Sequence, residues 1–238
     1  MPFLAALWTD PVTQTVVWSA ATIGFYLLAK RLYRRWPFWW LSPLATAPLL
    51  VLAAVLLLHT GYPTYIRGTG WLLTLLGPAT VGFAVPIYQQ RAVIRRHWPV
   101  LLAGVVAGSA TSMLSAWGMA SLLHLPGAVR LSLLARSMST PFAVVVSSDI
   151  GGSPDLTALF VIVTGVFGAA LGEIMLARLP IRSTLTRGAL LGMSAHGAGT
   201  AKAHEIGPQE GSIAGLVMVL VGVLNVFAAP LLAYCLHG

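Results

Sequence analysis

The chain has 238 residues, of which 57% are hydrophobic and 8% charged, against roughly 25% charged in soluble domains; this excludes a water-soluble globule and makes a bilayer the solvent. The formal charge of +8 does not argue for nucleic acid, because the 14 Lys and Arg are spread thinly between apolar runs and form no basic face. The lone cysteine, Cys235, excludes an intrachain disulfide and a multi-cysteine metal site.

Residues Met1 to Asp10 place no basic segment ahead of their apolar residues, so no cleaved signal peptide is expected. A first span covers 15–28 and ends at Lys30, Arg31, Arg34 and Arg35, a basic cluster that marks a cytoplasmic end. The second, 38–59, opens with Trp39 and Trp40 at interface depth and carries Pro43 and Pro48 near its start. A turn at 61–68 leads to a third span, 71–88, which contains Gly77, Pro78 and Pro86. It stops at a second cytoplasmic cluster, Arg91, Arg95, Arg96 and His97. The fourth span, 99–125, is seeded with Gly104, Gly108, Ser109, Ser112 and Ser115, small residues that let helices approach closely in lipid. Residues 1–125 read as a four-span scaffold.

From 126 to 238 the chain repeats itself. Ser137-Met138-Ser139-Thr140-Pro141 breaks an apolar run, Asp149-Ile150-Gly151-Gly152 ends it, and a long apolar segment, 156–177, follows. Then Ser194-Ala195-His196-Gly197-Ala198-Gly199-Thr200 breaks a second run, Glu205-Ile206-Gly207-Pro208 ends it, and 213–236 is again apolar. Repeated segments interrupted by Gly and Pro are the best sequence pointer to a transporter's binding site. Charge selects their topology. With both basic clusters inside, the fourth span delivers Leu125 to the outer side, and a full crossing by 127–150 would leave Arg178, Arg182 and Arg187 outside, against the positive-inside bias. A hairpin that dips in and returns keeps them inside. Arms of about ten residues reach roughly 15 Å, half of a ~30 Å hydrocarbon core. The second hairpin, 187–207, starts from the inner side, which makes the pair an inverted repeat, offset by 56 residues at Asp149/Glu205 and 57 at Gly165/Gly222. The expected fold is an all-α polytopic membrane protein of about six full spans plus two re-entrant or broken helices. Two full but broken helices are the alternative to the hairpins.

The hairpin tips have chemistry suited to an anion. Thr140 before Pro141 predicts an N-cap and first helical residue, and Thr200 after Gly199 predicts a second such start. Two helix N-termini would aim free N–H groups at one place, where a carboxylate is held without many charges. Arg136, four residues before Thr140, is a cation at a costly depth and needs a partner or a function. Its structural alternatives are snorkelling to the surface or pairing with Asp149 or Glu173. Arg130 reads as interfacial. His196 is either a proton carrier or a hydrogen-bonded structural histidine. The expected substrate-binding set is Arg136, Ser137, Ser139, Thr140, Pro141, His196, Gly197, Gly199 and Thr200. Gly77, Pro78, Asp149, Lys202 and Glu205 are expected to gate or support it, with Lys202, His204 and Glu205 otherwise simply solvated or paired. No catalytic set, metal site or cofactor is expected: Ser139, His196 and Asp149 match no nucleophile spacing, and His204-Glu205 lacks the second histidine of a zinc helix because Pro208 takes that position.

Several motifs in order carry a resemblance. Leu75-Leu76-Gly77-Pro78-Ala79-Thr80-Val81 with Ala84-Val85-Pro86-Ile87-Tyr88 resembles the signature of the LrgB/CidB family of bacterial membrane proteins. Ser137 to Pro141, Ile150-Gly151-Gly152 with Pro154 and Leu156-Thr157-Ala158, and His196 with Gly199-Thr200-Ala201-Lys202-Ala203 resemble its other blocks, and Tyr62 and Tyr65 fit it too. Arg136 stands where the family commonly has lysine, which preserves the charge, and Ala195-His196-Gly197 replaces a serine-histidine-alanine run. The resemblance implies one of two roles. One is an antiholin-like regulator of murein hydrolase activity and cell lysis, working beside an LrgA/CidA-like membrane partner. The other is a carrier of small carboxylates, as in the glycolate/glycerate translocators of plastids and relatives linked to pyruvate. Plastid members carry the partner-like portion fused in front, so a separate partner chain is implied here, together with a multi-pass location in the bacterial inner membrane and a homo-oligomer.

Overall fold

The computed structural model describes residues 10–82 and 84–237, and every regular element among them is a helix. Residues 1–9, on which the expectation of no cleaved leader rests, and Phe83, within the predicted third span, lie outside the described residues. The helices group into two compact units, Met1–Ala79 and Thr80–Gly238.

The first unit begins with α1 (Pro11–Arg35), followed by a 3-10 turn (Trp39–Leu41), α2 (Pro43–Leu57), α3 (Tyr62–Thr69) and α4 (Trp71–Thr74). The start of α1 is set by Asp10, whose Oδ2 accepts from the Thr13 amide at 2.8 Å and the Thr13 hydroxyl at 3.0 Å. Those bonds hold its carboxyl below the ordinary carboxylate value. At 25 residues, α1 is about 37 Å long and crosses a ~30 Å core. Helix α3 docks on it where Gly68 permits, since a Cβ there would lie 2.8 Å from the Gln14 carbonyl oxygen. Tyr65 meets the Trp18 ring edge-on at 5.5 Å, and Ser19 joins the Gly68 carbonyl (3.2 Å) to the Trp71 indole N–H (2.8 Å). Of the two tyrosines in the family resemblance, Tyr65 is thus a packing residue.

The stretch expected as one third span is instead a series of short pieces, α4, α5 (Leu76–Gly82) and α6 (Ala84–Gln89). Pro78 and Pro86 each remove a backbone donor from it. The second expected span is realised as α2, 15 residues with Pro48 inside. Among the described residues four helices are long and apolar enough to cross a membrane: α1, α7 (Arg91–Leu122), α10 (Pro154–Arg178) and α12 (Pro208–His237). Helix α7 is broken at His97 (φ −122°, ψ 15°), two residues ahead of Pro99, as a proline inside a helix requires.

In the second unit, α8 (Gly127–Leu134) and α9 (Thr140–Asp149) precede α10, and α11 (Thr184–Ile206) precedes α12. The chain reverses between α8 and α9, because the end of α9 comes back to the middle of α8. The Ser153 amide donates to Ser132 Oγ at 2.8 Å, and the Thr157 hydroxyl lies within hydrogen-bond distance of the Ser132 carbonyl (3.2 Å) and of the Ser147 hydroxyl (2.6 Å). Helix α11 is itself a hairpin. It breaks at His196 (φ 41°, ψ −115°), and a Cβ on Gly199 would run into the carbonyl oxygen of Leu191. Eight residues of straight helix would hold those two about 12 Å apart. Contacts with α12 give the same answer: Gly188 abuts Ile213 and Gly192 abuts Ala214, whereas Thr200 reaches Met218 and His204 abuts Gly211. The first arm therefore ascends α12 and the second descends it.

The two hairpins enter from opposite ends of α10. Thr157, near its start, is tied to α8 and α9. Farther along, Gly168 meets the Ser194 carbonyl, Gly172 meets Leu191, and Glu173 pairs with Lys202. Gly168 lies 14 residues past Pro154 and Gly222, packed on Phe142 of α9, lies 14 past Pro208; both contacts fall about 21 Å along their helices.

Candidate functional site

A cavity of about 700 Å³ opens where the tips meet, walled by α7, α10, the first arm of α11 and the turn between α8 and α9. Its walls are mainly apolar, with six polar exceptions: Thr111, Ser112, Arg136, Ser137, Thr164 and Ser194. Arg136 is the only charged residue among them. No acid answers it, since among the described residues Arg136 forms no ion pair, Asp149 lies exposed at the end of α9, and Glu173 is held by Lys202 at 3.0 Å. The alternative in which Arg136 pairs with Asp149 or Glu173 is therefore not realised. A half-buried guanidinium without a carboxylate partner is a costly arrangement inside a membrane protein.

The tips touch through His196 and Arg136. The imidazole is 3% exposed and is bonded to the backbone of Arg136. Its Nε2 has no hydrogen-bond partner, and neither does Ser139 Oγ or Ser194 Oγ. Buried polar atoms are rarely left so, and three around one tip-to-tip contact leave hydrogen-bonding capacity for a polar guest. Ser137 is held in place by a hydrogen bond to Ser112, and one turn away Asn225 of α12 donates to Ser109 at 2.9 Å.

The predicted residues do not all reach the cavity. Arg136 and Ser137 line it; Ser139 and His196 are buried beside it. Thr140 and Pro141 are the first two residues of α9, and the N-cap is Ser139 with no side-chain capping bond, one residue earlier than expected. The expectation that Thr200 opens the second returning arm is also corrected, because helix resumes directly after His196 and the Thr200 hydroxyl donates to the His196 carbonyl at 2.8 Å, an ordinary in-helix bond. Gly197 has open space around its Cα, whereas Gly199 packs against Leu191. Gly77 and Pro78 are exposed in α5. Lys202 bridges Glu173 and Glu205 at 3.0 Å each and ties the second arm to α10; Asp149 makes no matching ion pair, so the two acids in like sequence positions do different things.

Sequence reasoning missed Thr111, Ser112, Thr164 and Ser194 as lining residues, as well as Asn225. Asn225 had a signal, a polar side chain inside a long apolar run. The hydroxyls had none, because small polar residues are as common at helix packing faces as at binding sites.

The family model described as LrgB-like matches residues 22–235. Two Bacillus subtilis proteins, both uncharacterised, are similar along nearly their whole length. YwbG is 39% identical over 211 residues, covering 89% of this chain and 94% of that protein. YxaC is 37% identical over 216 residues, covering 91% and 94%. No solved structure matches.

Proposed function

This chain is a membrane protein of the LrgB-like family, and from that premise we propose that it carries small carboxylates of the glycolate, glycerate or pyruvate kind across the bacterial inner membrane. One observation carries the reading: a cavity at the meeting point of two hairpin tips whose only charge is the unpaired guanidinium of Arg136. The guanidinium takes the carboxylate by paired N–H donors, and Ser139, Ser194 and His196, each with an unpartnered polar atom, take its hydroxyl or oxo group. The helix starts at Ser139 and Gly197 add positive dipole ends.

The hairpins, entering from opposite ends of α10 and each followed by a long helix, favour an inverted repeat that exposes the cavity alternately to the two sides. Ser139, His196 and Asp149 offer no nucleophile geometry, with Asp149 exposed at the far end of α9, and we read the protein as a carrier rather than an enzyme. An LrgA/CidA-like partner and a homo-oligomer belong to the same proposal, and an antiholin-like effect on murein hydrolases would then follow from metabolite flow.

The test is uptake of labelled glycolate or pyruvate into proteoliposomes holding the purified chain, with and without a partner chain. Arg136→Gln is expected to weaken apparent affinity by about ten- to a hundredfold, the loss of a charged hydrogen bond, and Arg136→Lys to keep part of it. Normal transport by Arg136→Gln removes the site assignment. No uptake by the wild type in either preparation returns the lysis-regulator reading.

A further inference from the structure

A second cavity, about 330 Å³, lies away from the tips, between the starts of α7, α11 and α12. Its polar wall residues are Arg96, His97, Thr184 and Gln209, and no carboxylate is among them. Arg96 forms no ion pair among the described residues, and the Thr184 hydroxyl and Gln209 amide add hydrogen-bond donors to the wall. The apolar floor is Ala92, Val93, Leu185 and Ile213. Trp98 and Val100, immediately after His97, are 58% and 65% exposed, and an exposed tryptophan next to an arginine cluster marks the depth of lipid headgroups.

We infer that this cavity binds the phosphate of an anionic lipid headgroup. Basic pockets between membrane helices on the arginine-rich side hold such headgroups. Here one fixed cation, an imidazole, a hydroxyl and an amide surround a space large enough for a phosphodiester and its glycerol. The absence of a carboxylate from the wall disfavours zwitterionic lipid, whose ammonium group would find no counter-charge. The exposed Trp98 and Val100, which follow His97 closely in the chain, favour a lipid over a soluble anion. Bound there, one headgroup contacts α7, the first arm of the second hairpin and the start of α12 together, and so stabilises their packing in the folded state.

The experiment is native mass spectrometry of the full chain in mild detergent with equal amounts of phosphatidylglycerol and phosphatidylcholine. Preferential retention of phosphatidylglycerol is expected. Arg96→Gln lowers that retention about fivefold, the effect of one basic side chain at an anionic headgroup. Gln209→Glu, which places a carboxylate in the cavity, does the same, and Arg182→Gln, off the cavity, leaves it unchanged. Thermal unfolding of the lipid-free variants identifies any that fail to fold, and the other substitution then decides. Equal retention of the two lipids, or undiminished retention by a folded Arg96→Gln or Gln209→Glu, overturns the assignment. A parallel arm with inorganic phosphate separates the sources: if phosphate raises the unfolding temperature at micromolar levels and phosphatidylglycerol does not, the cavity serves a soluble anion and the lipid assignment is overturned.

Discussion

The imidazole of His196 interacts with the backbone carbonyl of Arg136, sixty residues apart in the chain, and this contact joins the tips of two hairpins that enter from opposite ends of α10. His196 pays for its place with a φ of 41° and ψ of −115°, a sparsely populated conformation that costs a non-glycine residue about 1–3 kcal/mol. Strain of this kind clusters at ligand clamps and switch regions, and with Nε2 unpartnered it makes this side chain the first to test.

His196→Gly separates backbone from imidazole. Glycine adopts the positive φ freely, so this variant should unfold at or above the temperature of His196→Ala, while both lose carboxylate uptake in proteoliposomes. Wild-type uptake by a folded His196→Gly would assign the imidazole to structure alone.

Packing in lipid depends on contact rather than on removal from water, so the glycines that allow close approach are expected to be sensitive. A Cβ on Gly192 or Gly168 meets the carbonyl oxygen of Ala214 or Ser194. Because these neighbours are backbone, they yield only if helices move apart, at about 1–3 kcal/mol. Gly192→Ala and Gly168→Ala should lower the unfolding temperature in detergent by several degrees, and Gly197→Ala, with nothing within 4 Å, by little.

These contacts also mark what the sequence can and cannot reveal. The reversals were legible, because Ser137 to Pro141 and Ser194 to Thr200 interrupt apolar runs and the arginine pattern disfavours full crossings. Helix starts were misplaced by one residue (Thr140 for Ser139) and by four (Thr200 for His196), because a strained His196 starts the second arm without any capping side chain. The cavity's hydroxyls were hidden: Thr164 and Ser194 stand in runs whose facing depends on where Gly168 lets the second hairpin rest.

The hydrogen bond between Ser112 and Ser137 sets a direct test of the cavity wall. Hydroxyls that close bring the Cβ atoms near disulfide spacing. With exposed Cys235 replaced by serine, Ser112→Cys with Ser137→Cys should oxidise to an intrachain disulfide under copper-phenanthroline, read by peptide mass. Oxidation should stop uptake and reduction restore it, with neither single-cysteine variant responding. If the bond closes and uptake continues unchanged, the first tip need not move relative to α7 during transport.

The opposed approach of the hairpins depends on α10 crossing the membrane. Its 25 residues give about 37 Å of helix, enough for a ~30 Å core, and its two ends touch the two hairpins separately: Thr157 bonds Ser132 and Ser147, whereas Glu173 bonds Lys202. Reporter fusions at Pro154 and Pro180 should therefore report opposite sides, with Pro180 on the cytoplasmic side beside Arg178 and Arg182. If both report the same side, α10 does not span and the two hairpins enter from one face. Arg136 would then sit at a surface where water screens it, and an unpaired guanidinium there would need no anionic guest.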